Sequence, residues 1–75
     1  MPIIVGMTKP ARFQVATRVR ELRRDQRLTQ AQLAEASGLD RHTVQNIEAA
    51  KNCTLDVLEA TAEGLGVQLT DLFGD

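Results

Sequence analysis

Cysteine and histidine are nearly missing from this chain: it has one of each, Cys53 and His42, in 75 residues. A lone thiol excludes an internal disulfide, and one Cys with one His cannot furnish a four-ligand zinc site. No metal and no cofactor are expected, and a single thiol fits a reducing compartment. No run of about 18 apolar residues occurs, so no segment is expected to span a membrane. The apolar opening at Ile3, Ile4 and Val5 has no basic leader and is too short for a signal peptide, which makes the protein cytoplasmic by expectation. Catalysis also lacks its parts. A nucleophile needs an oriented base, yet His42 sits on a polar helix face with Thr43 as its nearest hydroxyl, and that helix directs it away from Cys53. An enzyme is not expected.

Bases are missing from the C-terminal third. Residues 1–51 hold all nine Lys and Arg against five acids, a net of +4, whereas residues 52–75 hold five acids and no base, a net of −5. The overall charge of −1 argues against a nucleic-acid partner. The asymmetry argues for one end facing a polyanion and the other facing away. Lopsided charge is also common in short helical domains, so charge alone leaves both readings standing.

What is present fits a soluble globular protein: 43% hydrophobic and 25% charged residues. A chain this short has a limited core, and with disulfide and metal excluded its supports are helix packing and self-association. Residues 1–8 read as a flexible arm, or as an extended segment pairing with its own copy, and residues 9–75 as one domain. A first helix is expected from about Pro10 to Gln26, with Thr8 as N-cap and Val15, Val19 and Leu22 as its buried stripe. Arg20, Arg24 and Arg27 on its polar side could reach a phosphate or simply be solvated.

Thr29 and Gln32 have the spacing of a capping box, so a second helix starts there. It turns inward Leu33 and the small Ala34, which permits a close helix crossing. Ser37-Gly38-Leu39 ends it, with Gly38 left-handed and Leu39 plugging the core. Asp40 caps a third helix whose inner face is Val44 and Ile47. At about 100° per residue, Arg41, His42, Gln45, Asn46 and Ala49 share the outer face. These side chains suit base edges: Arg matches guanine O6 and N7, and Asn or Gln matches adenine N6 and N7. His42 could instead be a solvated residue or a pH switch. Two short helices joined by a tight turn, the second with a polar outer face, have the layout of a helix-turn-helix.

A fourth helix follows Thr54, with Leu55, Leu58, Ala62 and Leu65 at core spacing. Gly64 should weaken its last turn by up to about 1 kcal/mol relative to Ala, and Gly66 is the expected C-cap. Val67 returns to the core. A short fifth helix over Leu69–Phe73 carries more apolar surface than a tail of that length can bury by itself. Val67, Leu69, Leu72 and Phe73 are therefore the expected dimer interface.

Leu22-Arg23, Leu28 to Ala34, Gly38-Leu39, Val44, Ile47-Glu48 and Gly66-Val67 with Leu72-Phe73 together resemble the Cro/repressor-type helix-turn-helix family. The resemblance covers roughly Gln14 to Phe73. It implies an all-α, five-helix, lambda-repressor-like domain that binds double-stranded DNA as a homodimer on a pseudo-palindromic operator and regulates transcription. By position, Gln30 corresponds to a clamp on the DNA backbone, Arg41, His42 and Asn46 to base contacts, Thr43 and Lys51 to phosphate contacts, and Arg23 with Glu48 to an ion pair between helices 1 and 3. Thr29 and Asn52 complete the expected phosphate-facing set, and Gln45 the base-facing one. Two departures stand out. Ala49-Ala50 occupy a place where the family often has a polar residue and Gly, so that either Ala50 adopts a positive φ or helix 3 runs a turn longer. Cys53 replaces a frequent Pro. The pattern is also similar to restriction–modification controller proteins, small phage repressors and antitoxins. An antitoxin or adaptor, using the same fold chiefly to hold a partner protein, is the alternative function.

Overall fold

The structure, a computed structural model, describes residues 10–73. The arm expected over 1–8 and the cap expected from Thr8 lie outside them. Helix α1 spans Ala11–Asp25 and begins on Pro10, whose φ of −56° suits a helix start and whose missing N–H costs nothing there. Helix α2, Gln30–Ser37, begins with a complete capping box: Thr29 Oγ1 accepts from the Gln32 N–H at 3.0 Å, and Gln32 Oε1 accepts from the Thr29 N–H at 2.8 Å. Helix α3, Arg41–Glu48, is capped by Asp40, and α4, Leu55–Leu65, by Thr54. The expected fifth helix is instead a single 3-10 turn, Leu69–Leu72. The fold class is all-α, and the described residues form four α-helices and this terminal turn.

All four α-helices end the same way. The first residue past each C-cap region has a positive φ: Arg27 at 59°, Gly38 at 71°, Ala50 at 62° and Gly66 at 73°. The next N–H then reaches back to a carbonyl of the last turn, as in Leu28 to Arg23, Leu39 to Ala34, Lys51 to Asn46 and Val67 to Ala62. This is the paired bonding of a Schellman motif. It resolves the 49–50 alternative in favour of a left-handed Ala50. Leu28, Leu39 and Val67 fold back against the core from these turns; the corresponding residue after α3, Lys51, is exposed.

Helix α2 packs on both α3 and α4, while α1 packs on α3 and the 3-10 turn. Val15, Val19, Leu33, Ala34, Val44, Ile47, Leu58, Ala62, Leu65 and Leu72 form the core, with Ala16 also buried. Three expectations change. Leu55 is 57% exposed: it is the first residue of α4, and its side chain leans toward the N-terminus, beyond the last core layer. Leu22 is only half-buried.

The third change is Leu72, fully enclosed at 0% exposure. The 3-10 turn folds under α1, where Arg18 Nε donates to the Asp71 carbonyl at 3.1 Å. Leu72 is therefore monomer core and offers no surface to a dimer. Thr61, not anticipated, is buried as well, its hydroxyl donating to the Val57 carbonyl at 2.8 Å.

Candidate nucleic-acid interface

A helix can present a reading face only if its other face and both ends are held. Helix α3 meets these conditions. Val44 and Ile47 are buried at 0% and 1% exposure. At the N-terminus, Asp40 Oδ1 accepts from the Thr43 N–H and from the Thr43 hydroxyl, each at 2.8 Å. These bonds hold the Asp40 carboxyl below its ordinary range, the backbone N–H first and the hydroxyl second.

At the C-terminus, Glu48 is buried, and α1 and α2 converge on it. Arg23 Nε meets Glu48 Oε2 at 2.6 Å and Arg23 Nη2 meets Oε1 at 3.0 Å, a two-point ion pair. Gln30 Nε2 donates to the same Oε1 at 3.1 Å. Arg23 Nη1 also donates to the Leu28 carbonyl at 2.8 Å, which ties the α1–α2 link to the same hub. The hydrogen bond to Glu48 raises the Arg23 pKa, outweighing the loss of solvation. Such a pair adds little over a hydrophobic substitute, but removing one partner strands a buried charge at a cost of about 3–5 kcal/mol. Its role is to fix where α3 lies.

With the helix held, Arg41 and His42 are exposed, and Gln45 and Asn46 are half-buried beside them. None of these four side chains bonds to another described residue. Lys51 and Asn52 lie exposed on the loop beyond Ala50, and their side chains are equally uncommitted. The remaining phosphate candidates are more constrained. The Thr29 hydroxyl accepts from α2, which leaves its own proton to donate. Thr43 gives its hydroxyl proton to Asp40, so donation to a phosphate would require giving up that bond. Gln30 is shared between Glu48 and whatever its remaining amide hydrogen meets.

A helix-turn-helix domain family matches this chain over residues 14–72. The chain belongs to the helix-turn-helix family. The immunity repressor protein of Bacillus phage phi105 is 39% identical over 62 residues, covering 81% of this helix-turn-helix chain and 43% of the repressor. The chain thus spans less than half the length of that curated relative. The restriction–modification controller protein C.AhdI from Aeromonas hydrophila is 35% identical with a TM-score of 0.78, over 83% of this chain and 96% of that one. The hypothetical transcription factor NHTF from Neisseria is 32% identical with a TM-score of 0.81, over 87% of this chain and 76% of that one.

Among the described residues no group of three or more His, Cys, Asp or Glu could hold a metal ion, and no helix is long and apolar enough to cross a membrane. Cys53 is half-buried against the core, and burial pushes its thiol pKa up, away from the thiolate that nucleophilic chemistry needs. Arg20, expected to face a phosphate or solvent, instead bonds the Glu48 carbonyl with its guanidinium. The signal was its position three residues before Arg23, on the same side of α1.

Proposed function

We propose that this protein is a sequence-specific, double-stranded-DNA-binding transcriptional regulator that acts as a homodimer on a pseudo-palindromic operator. One observation carries the reading. The outer face of α3 offers Arg41, His42, Gln45 and Asn46 without side-chain partners among the described residues, while its inner face and both ends are fastened. Each monomer would place α3 in the major groove, at half-sites about 34 Å apart. Thr29, Gln30, Lys51 and Asn52 would set register on the phosphates, and the α3 side chains would read sequence.

The surface for a second copy is the half-buried trio Val67, Leu69 and Phe73. It adjoins an open hollow of about 360 Å³ lined by Glu59, Ala62, Glu63, Val67 and Leu69. The same hollow supports the alternative of an antitoxin or adaptor whose main partner is another protein.

Selection of bound sequences from random duplex DNA, with affinity followed against salt, tests the reading. A palindromic consensus with two half-sites is the expected result. Retention of all sequences alike, with only salt-dependent affinity, would sink sequence-specific regulation. A stable stoichiometric complex with another protein and no DNA selection would favour the adaptor.

A further inference from the structure

Arg20 is the arginine of α1 that the outward-facing role leaves unexplained. It is half-buried, and its Nη1 donates to the backbone carbonyl of Glu48 at 2.5 Å. That carbonyl belongs to the last residue of α3. The final carbonyls of a helix have no partners within it, and in α3 their partners can be traced one by one. Gln45 and Asn46 receive the Ala49 N–H, Asn46 also receives Lys51, and Ile47 receives Ala50. Glu48 receives Arg20. Helix α3 has no basic residue in its own last turn and ends on an acid, and among the described residues the cation bonded to the negative end of its dipole comes from α1.

This is also the turn in which Ala50 holds a φ of 62°. A residue with a Cβ is less stable there than glycine. Beyond it, Lys51 and Asn52 stand exposed on the DNA-facing loop.

We propose that Arg20 is a positioning residue for DNA recognition. It caps the C-terminus of α3 from the neighbouring helix, keeps the strained Ala50 turn closed, and thereby sets the path of the 49–52 loop; it is not a phosphate ligand. This deepens the DNA-binding reading and rests on it.

The test compares wild type, Arg20→Met, Ala50→Gly and the double variant on the operator selected by the wild-type protein and on random duplex DNA, across a salt series. Far-UV circular dichroism confirms folding, and Arg20→Leu, which also removes the N–H donor, replaces Arg20→Met should the latter unfold. The expected result is a loss of operator affinity of about tenfold or more in Arg20→Met. Because the 49–52 loop carries the phosphate candidates Lys51 and Asn52, random-DNA affinity and the salt slope fall as well, and Ala50→Gly recovers much of all three losses, because glycine holds the turn without Arg20. Two results overturn the proposal. If the losses and a salt-slope drop of about 0.9 persist undiminished in the double variant with Ala50→Gly, Arg20 is itself a phosphate ligand. If operator affinity is unchanged while stability falls, the bond is scaffold only. Failure of wild type itself to select any operator would instead defeat the underlying DNA-binding reading. In that case the coupling of Arg20→Met with Ala50→Gly in urea denaturation still decides whether Arg20 holds the turn.

Discussion

Gly64 lies against Ser37: a Cβ built on Gly64 would stand 2.1 Å from Ser37 Oγ and 3.0 Å from both Ser37 Cα and Cβ. The glycine is thus the contact at which α2 crosses α4, rather than a mere weakness in the last turn of α4. Rotating the serine hydroxyl would clear one clash and leave the other two. Gly64→Ala should therefore destabilise the fold by about 1–2 kcal/mol, because overpacking exceeds the gain of about 1 kcal/mol in helix propensity. Ser37→Ala should go the other way. Its Oγ is buried without a partner, and removing an unpaired hydroxyl should be neutral or stabilising by up to about 1 kcal/mol. Urea denaturation of the two variants checks both signs. A stabilised Gly64→Ala would mean the helices separate freely at this crossing.

Two of the four left-handed helix exits are occupied by residues with a Cβ, Arg27 and Ala50. Arg27 is exposed at its turn. Arg27→Gly and Ala50→Gly should each raise stability by a few tenths to about 1 kcal/mol, the relief of left-handed strain exceeding the added freedom of glycine in the unfolded chain. The two sites are separate, so their effects should add in thermal or urea unfolding. A loss of stability in both would show that the turns are not strained.

These two features mark where sequence stops being informative. Caps at Thr29, Asp40 and Thr54 are legible because they act on a backbone N–H two or three residues away. The inner stripes of Leu33-Ala34, Val44-Ile47 and Leu58-Ala62-Leu65 are legible because helical period puts them on one face. Gly38 and Gly66 announce their turns, but Arg27 does not, since its φ is imposed by Leu28 returning to the core. Gly64 reads as a defect until Ser37, far away in sequence, is placed against it. The Arg23–Glu48 pair entered through family resemblance. Its further members, Arg20 on α1 and Gln30 on α2, depend on how those two helices meet α3, which no local pattern encodes. Leu72 is not legible as core because a short apolar tail reads as protruding, whereas a 3-10 turn brings it under α1.

Arg41 opens α3, is exposed, and bonds to no other described residue. The N-terminal residues of such a helix are the ones that reach base edges. Arg41→Ala should weaken operator binding by about 1–3 kcal/mol and relax base preference at one position in each half-site, leaving the others intact. Repeating the selection from random duplexes with the variant measures this. An equal loss on every sequence would make Arg41 a backbone contact.

Asp40 links the α3 cap to pH. Its folded pKa is depressed below the ordinary 3.8 by the Thr43 N–H and hydroxyl. The stabilisation is therefore complete above the ordinary value and is lost as pH falls through the folded value, where protonation weakens the acceptor. Thr43 amide protection should persist down to about pH 3.8 and decay below it. Asp40→Asn caps by a neutral oxygen, so this component should vanish from the difference between wild type and variant. Hydrogen exchange at Thr43 across the acid range measures that difference. Identical acid profiles in the two proteins would mean that the cap is not what titrates.

Leu69 and Leu72 share one short turn, yet they should fail differently when made acidic. Leu72 is sealed in the core. Leu72→Asp would bury an unpaired carboxylate beside α1, so unfolding is expected, whatever the oligomeric state. Leu69 is half-buried at the rim of the hollow next to Glu59 and Glu63. Leu69→Asp adds a third acid there, where a symmetric contact would bring a second such cluster close. The expected outcome is a folded monomer by sedimentation, with weaker and non-cooperative operator binding. Phe73→Asp should behave in the same way. If Leu69→Asp and Phe73→Asp both retain dimer mass, this face is not where two copies meet. The acidic hollow would then remain as a surface for a different protein, which is the arrangement the adaptor reading requires.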